Sequence, residues 1–472
     1  MSEKQDPFLA AAWRHLTPSG RYQFTAYGHT PKATLAEETS KTERGGIIGS
    51  GRFNLAAWQF DIGIEEATDD LFFRSYNLNS ANRLQSRLDA TRSFGRHRLT
   101  ASAYRYRNTV EAETDATVDR IAPTLRHSYY LADGFLGGSV SMSNFVTRLE
   151  RDRGIDTTHA QSLVDWSARH ITAGGFVLSA HNRLVLDAYD HDVETGDTID
   201  NVDATIALAE AEDMLAANAL AVSLAYPLQR VGAVDSQTLT PQIQIVSATQ
   251  NDDYAHVPHI ANSSLSLSRA QLFQPLTPRD ETSRINLGIG HSLALGPKLQ
   301  TELFIGQSYN LSDQNSEIAA TTGYGDRRSG LLADWALYAG PLSLTQQARF
   351  DKTGTTLQRS ESTARLAFAG IGLSAAHSFY QKGQTTQNPD ADLEEATGRL
   401  DLQIGAHWRF EGSVRENLES GETVRADAEL AYEDDCTIAK ISLTRDYARI
   451  SGTSIEPETS LDFTFTLKMI GG

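Results

Sequence analysis

The chain has 472 residues, 60 acidic against 42 basic, for a formal net charge of -18. That balance excludes the clustered Lys and Arg surface that phosphate backbones demand, so nucleic acid is not an expected partner. Only 40% of residues are hydrophobic, and no stretch approaches the roughly 20 consecutive apolar residues of a membrane-spanning helix.

The amino terminus, MSEKQDPFLA, has neither a basic n-region nor an apolar h-region. Period-two patterning starts soon after it. Trp58, Phe60, Ile62 and Ile64 alternate with Gln59, Asp61 and Gly63, which predicts a strand with one apolar and one polar face. The acidic run 107–119 and the run DHDVETGDTID from Asp190 read as long polar connections. Ala204 to Tyr226 is Ala-rich with acidic residues in its first half, and reads as a loop of helical character leading into a strand VSLAY. Ile285, Leu287 and Ile289 alternate with Asn286, Gly288 and Gly290. LGPK from Leu295 and AGPL from Ala339 are minimal turns, whereas 311–330 and 381–395 are far longer than a hairpin needs. Long loops mixed with tight turns predict two ends with different surroundings.

Towards the carboxyl end, Leu400, Leu402, Ile404, Ala406, Trp408 and Phe410 interleave with Asp401, Gln403, His407 and Arg409. Val424 to Leu443 reads as a β-hairpin around Glu433, Asp434 and Asp435, with Cys436, the only cysteine, directly after them. Its parity is that of Lys440 and Ser442 rather than of the apolar face, which argues against a buried small hydrophobe. The last strand is predicted at Leu461, Phe463, Phe465, Leu467 and Met469, alternating with Asp462, Thr464, Thr466 and Lys468.

No composition shift or linker divides the chain, so one large sheet is expected. A repeat of about twenty residues per strand and connection allows roughly 24 strands. The predicted fold is therefore all-β, a large antiparallel transmembrane β-barrel, one domain over 1–472. Its apolar face meets lipid, and its lumen tolerates Asp, Arg, Gln and His. Trp408, Phe410, Phe463 and Phe465 should point outward, and His407, Arg409, Asp462 and Lys468 inward. A porin or solute channel shares these features and is the alternative; a β-solenoid would need self-similar repeats, and none is evident.

Catalytic chemistry is not expected. G-x-S-x-G, H-E-x-x-H, G-x-x-x-x-G-K-[ST] and C-x-x-C are all missing from the sequence. Asp187, Asp190, His191, Asp192 and Glu194 could ligate a divalent ion, and His256 and His259 with Asp252 and Asp253 a transition metal. Both sets read better as polar loops, so neither cofactor nor metal is expected.

Four words in order carry a resemblance. Within 49–88 stand Gly51, Arg52, Phe53, Trp58, Phe60, Asp61, Asp69, Asp70, Phe73, Arg74, Tyr76, Leu84, Ser86, Arg87 and Leu88. Within 120–166 stand a proline-led strand, a D-G-x-x-G-G turn, an R-x-x-G-x-D-T loop and Trp166. From Ala225 runs Y-P-L, a polar turn and Q-T-L-x-P. The fourth word is the acidic turn with Cys436. Together they resemble the barrel of the lipopolysaccharide-assembly outer-membrane protein family, LptD. One departure is VPHIANSS after Tyr254, where the family has an I-P-N-E-D-S-like stretch.

The resemblance implies an outer-membrane location and a translocon that passes lipopolysaccharide through the lumen and out through a seam between first and last strands. It implies a plug lipoprotein of the LptE type and a periplasmic bridge protein of the LptA type, the latter reached through a periplasmic jellyroll. Export signal, jellyroll and initial strands precede the word that stands here as Arg14, Gly20 and Tyr22, so the chain is expected to begin after them. Cys436 would then be half of a disulfide to that amino-terminal domain.

Overall fold

The computed structural model describes residues 9–29, 44–108 except 77, 80 and 82, 120–150, 155–193, 213–250, 283–311, 327–383, 391–447 and 459–467. They form one antiparallel sheet of 24 strands. The first twelve are β1 (Leu9–Thr17), β2 (Gly20–His29), β3 (Arg44–Leu55), β4 (Trp58–Ala67), β5 (Arg83–Phe94), β6 (His97–Asn108), β7 (Arg120–Leu131), β8 (Ser139–Glu150), β9 (Ile155–Ile171), β10 (Val177–Val193), β11 (Asp213–Ala225) and β12 (Leu228–Val231). The others are β13 (Asp235–Gln250), β14 (Arg284–Leu295), β15 (Leu299–Asn310), β16 (Leu332–Ala339), β17 (Leu342–Phe350), β18 (Leu357–Phe368), β19 (Ile371–Tyr380), β20 (Leu393–Ile404), β21 (Trp408–Asn417), β22 (Glu422–Glu433), β23 (Thr437–Asp446) and β24 (Thr459–Leu467). A short helical turn, Phe72–Ser75, lies between β4 and β5.

Register shows the two faces directly. Leu402 lies opposite Phe410, Phe410 opposite Leu430, Leu430 opposite Ile441, and Ile441 opposite Phe463. This apolar row runs unbroken across five strands, and Trp408 and Phe465 share its face. One residue along, Asp401 faces Glu411, Glu411 faces Glu429, Glu429 faces Ser442, and Ser442 faces Asp462. Alternation in each sequence segment thus becomes one lipid face and one polar face lining the barrel.

The ends differ as the loop lengths predict. β1–β2, β3–β4, β5–β6, β16–β17 and β18–β19 are each joined by two residues, all at one end. Ala56 (φ 52°) and Gly340 (φ 58°) take the left-handed conformation that such short turns require. The long connections are at the other end. In outer-membrane barrels tight turns face the periplasm and long loops the exterior.

Several boundaries correct the sequence reading. The alternation from Leu400 to Phe410 is not one strand: Gly405–His407 form a turn between β20 and β21. An odd-length turn kept the parity, so periodicity ran through it unseen. His407 therefore sits in the turn, its Nδ1–H donating to Glu433 O at 3.0 Å, rather than on the luminal wall. β11 begins at Asp213, well before VSLAY, because small Ala residues suit a strand whose other face holds Leu220, Val222 and Leu224 outward. Asp190–Val193 and Leu393–Glu395 belong to β10 and β20 rather than to loops. β24 ends at Leu467, and Lys468 and Met469 lie outside the described residues.

β11 and β12 share one lane. Both pair with β13 in a single register, Ala225 opposite Gln242 and Leu228 opposite Leu239. The Tyr226 N–H donates to Pro241 O at 3.1 Å, but proline has no N–H with which to return the bond.

The faces make a paired test. Leu443→Arg, on the lipid face, should destabilise the barrel by about 2–4 kcal/mol if near mid-membrane, and Thr464→Arg, on the luminal face, by under about 1 kcal/mol. Equilibrium folding into lipid vesicles measures both.

Candidate functional site: a charged lumen beside an unpaired sheet edge

Charged side chains on β20–β23 are linked across the polar face. Arg415 reaches Glu395 at 2.7 Å, and Arg399 and Arg409 both meet Glu411. Lys440 bonds Glu429 at 3.0 Å, and the Ser442 hydroxyl donates to the same carboxylate at 3.0 Å. Asp427 accepts from Ser413 and Thr444, each at 3.1 Å, and pairs with Arg425 at 2.9 Å. Cross-strand opposite charges stabilise the wall modestly, each pair contributing about 0.2–1 kcal/mol. Their larger effect is to present both signs of charge to whatever fills the lumen.

A second luminal group sits on β9 and β10. Arg183 holds Asp165 through two bonds of 2.7 and 3.2 Å, and His181 lies 3.2 Å from the same carboxylate. Asp187, buried, accepts from Gln161 at 2.8 Å and lies 2.9 Å from His159 Nε2. The Asp187 carboxylate is thus bonded to neighbours on the wall, and Asp190, His191 and Asp192 are strand residues of β10. Glu194, and the set Asp252, Asp253, His256 and His259, lie outside the described residues. Among the described residues no cluster of three metal-ligating side chains occurs.

At the long-loop end the connection after β4 folds onto the sheet. Phe72, Phe73, Tyr76 and Leu84 form a buried cluster with Ala67, against Tyr27 and Ile48. Gly46 is required there, since a Cβ would lie 2.5 Å from the Phe73 ring. Arg44 grips Asp69 with two bonds of 2.8 and 2.7 Å, and Arg107 reaches Asp70 at 3.3 Å. Burial pushes the Asp69 carboxyl up, but the Arg44 guanidinium outweighs it and holds the group below its ordinary range. The paired acids and aromatics of the first sequence word are thus a loop anchor. Beyond β4 residue Gly63 the β4–β5 ladder stops, and the Gln85 N–H donates to the Glu65 carboxylate at 3.1 Å instead.

The other words also acquire roles. Arg52 and Asp61 pair across β3 and β4 on the luminal face. In the β7–β8 turn, Trp166 Nε1–H donates to Phe135 O at 2.8 Å, and Leu136 and Gly137 have positive φ. Tyr226 stacks on Phe176 with ring centroids 4.4 Å apart, beside the Pro241 break.

Among the described residues β1 bonds only to β2, and β24 only to β23. Leu461 and Phe463 on β24 are 71% and 68% exposed, against 45% and 47% for their partners Leu443 and Ile441. Among the described residues, one flank of the predicted last strand therefore has no strand paired with it.

Cys436 is a free, exposed thiol in the β22–β23 turn, at the tight-turn end. Asp434 builds that turn: its carboxylate accepts from the N–H groups of Cys436 and Thr437 at 2.9 and 2.7 Å and from the Tyr432 hydroxyl at 2.9 Å. The backbone N–H of Cys436 first, then the Tyr432 hydroxyl, hold the Asp434 carboxyl below its ordinary pKa. A depressed carboxyl stabilises the turn above the unfolded pKa and ceases to as pH falls through the lower folded value. Amide-exchange protection at Cys436 and Thr437 should accordingly persist at pH 4 and fall away only at more acid pH; Asp434→Asn should remove that acid transition.

The model of the family described as LptD, LPS transport system D, matches residues 42–408. That span contains the first three sequence words, while Arg14 to Tyr22 and the Cys436 turn lie outside it. No curated protein matches. Among solved structures, the chain is similar to a ferric enterobactin receptor mutant from Pseudomonas aeruginosa, with 10% identity, covering 97% of this chain and 79% of that one at a TM-score of 0.45. The siderophore receptor PirA from Pseudomonas aeruginosa gives 8% identity, 98% and 81% coverage and a TM-score of 0.43. The ferric preacinetobactin receptor BauA from Acinetobacter baumannii gives 10%, 97% and 79%, and 0.35. The family match extends over more than three quarters of the sequence: the chain belongs to the LptD family of lipopolysaccharide transport proteins and is an outer-membrane β-barrel.

Proposed function

We propose that this barrel is the translocon that places lipopolysaccharide in the outer leaflet. The carrying observation is the bare flank of β24 next to a lumen lined with charge. A sugar chain with its phosphates needs a hydrated, polar route, which the Asp, Arg, Gln and Ser rows of β20–β23 supply. The acyl chains need to stay in the apolar band, so the molecule must leave sideways through a parting of the wall. Elsewhere each backbone group in lipid must be bonded, and only a weak seam can part at acceptable cost.

The topology supports a seam completed by other strands. Twenty-four strands with two sharing a lane give 23 lanes, so β1 and β24 run in the same direction. An antiparallel closure then needs an odd number of further strands. This agrees with a barrel whose initial strands precede Leu9, together with an amino-terminal jellyroll that receives lipopolysaccharide from a bridge protein of the LptA type. A plug lipoprotein of the LptE type is the partner for the lumen, and 1–472 is one barrel domain. Cys436 lies at the end such a jellyroll would occupy, exposed and outside both faces, as half of a disulfide to it.

A solute channel would also have a polar lumen, but a closed ladder and no parting strand. Cells carrying the full-length protein with a photoreactive residue in place of Thr464 should yield a cross-link to lipopolysaccharide. Cys436→Ser should leave the barrel folded and lower surface lipopolysaccharide. In the full-length chain Cys436 should label with maleimide only after reduction, whereas residues 1–472 alone should label at once. No lipopolysaccharide adduct, with small sugars permeating instead, would place the chain with the solute channels.

A further inference from the structure

Towards the tight-turn end, the outer wall of β5–β9 carries a row that is polar except for Leu99, where lipid-facing residues are expected. Arg92 is opposite Leu99, Leu99 opposite His127, His127 opposite Asn144, and Asn144 opposite Ser162. These positions share the face of Leu88, Leu125 and Val146, which are 46–50% exposed. The alternate positions Asp89 and Ser102, bonded to each other on the luminal side, confirm the parity. The row starts two residues from the end of β5.

Its hydrogen bonds run one way. The Ser162 hydroxyl donates to Asn144 Oδ1 at 2.8 Å, which turns the Asn144 amide nitrogen towards His127 Nδ1 at 3.2 Å. His127 then carries its proton on Nε2, 3.0 Å from His97 Nδ1. His97 is left with an Nε2–H donor that has no partner among the described residues. Its ring stacks on Phe94 (centroids 5.3 Å, 17° between planes) and lies 4.9 Å from Tyr129. The Arg92 guanidinium stands over the same Phe94 ring at 5.8 Å and over Trp58 at 6.0 Å. Arg92 and the turn residue Arg96 are exposed and have no carboxylate partner among the described residues, unlike Arg52, which pairs with Asp61 on the neighbouring strands.

We propose that Arg92, Arg96 and His97 form a binding site for the headgroup phosphate of an anionic phospholipid in the leaflet at the tight-turn end. The site lies on the outer wall, remote from both the lumen and the seam. A guanidinium and an imidazole N–H flanking one aromatic ring suit a phosphodiester, which accepts charge-assisted bonds and is itself amphipathic in position. Trp58, Phe94 and Tyr129 set the depth, because aromatic rings gather at headgroup level. At that depth an outward charge costs little, whereas at mid-membrane it would cost about 2–4 kcal/mol. Charge favours an anion here: two exposed arginines have no carboxylate partner among the described residues, on a protein of net charge -18.

Native mass spectrometry of the full chain released from mixed micelles tests the assignment. Phosphatidylglycerol should be retained about ten-fold better than phosphatidylcholine, the ratio expected from one or two charge-assisted contacts. Arg92→Gln with His97→Gln should abolish that preference; Arg92→Lys should keep part of it, and Arg126→Gln, on the luminal face of β7, all of it. Each variant is first shown to be folded by its heat-modifiable mobility. Should the double variant not fold, the single Arg92→Gln and the wild-type lipid preference carry the same decision. Equal retention of the two lipids by the wild type, or undiminished preference in the variants, overturns the site. Displacement of phosphatidylglycerol by inorganic phosphate would overturn the headgroup reading in favour of a free-anion site.

Discussion

In hydrocarbon a backbone N–H or C=O has no water to bond, so each must find a partner in the protein. This one requirement accounts for the architecture. It forces every membrane segment of this chain into a single ladder, leaves side chains free to alternate between two solvents, and pushes irregular backbone to the ends. It also makes exceptions informative. The Tyr226 and Pro241 pair keeps one bond and loses the other, and the apolar rings of Phe176 and Tyr226 shield the outer side of that break. Upper β4 and β5 separate, yet the freed N–H of Gln85 finds the Glu65 carboxylate. At β24 the exception is a whole strand flank.

The same requirement explains why the charges lie where they do. A carboxylate on the outer face would meet lipid, so acids gather on the inner rows, and most there are answered by a neighbouring Arg, Lys or hydroxyl. Asp427, for example, draws on Arg425, Ser413 and Thr444 from three strands. Pairs of this kind contribute little individually, but as a lining they present both signs of charge along a polar wall.

Much of this was legible in sequence because period two survives in every long segment. The apolar face at Leu402, Phe410, Leu430 and Phe463 could be read before any coordinates, as could the contrast between two-residue turns and long loops. What escaped has a physical reason in each case. The turn at Gly405–His407 preserved parity and so hid a hairpin. β11 escaped because Ala favours helix and is depleted in strands, so its local preference ran against the pairing with β10 and β13. The loop anchor of Phe72, Phe73 and Tyr76 is non-periodic, and nothing in the spacing of Asp69 to Arg44 reveals a bond across a loop. The acidic run from Asp187 read as a solvated loop because sequence cannot show that Asp187 is buried on β10 beside His159 and Gln161.

The two ends of the barrel then divide its work. Loops at the exterior end can be long because only water and other loops confront them, and one of them, after β4, turns back to pack against the wall. Turns at the periplasmic end are tight, and the features placed there are of a different kind: the Cys436 turn, whose backbone Asp434 holds, the rings of Trp58, Phe94 and Tyr129, and Arg92 and His97 on the outer wall. If β24 parts from its neighbour as proposed, the rest of the wall has to be held at constant depth, with the proposed delivery domain in register beneath it. In the proposed translocon, anchors to headgroups on one side and a covalent tie at Cys436 on the other would both meet that need, and both would act at the tight-turn end.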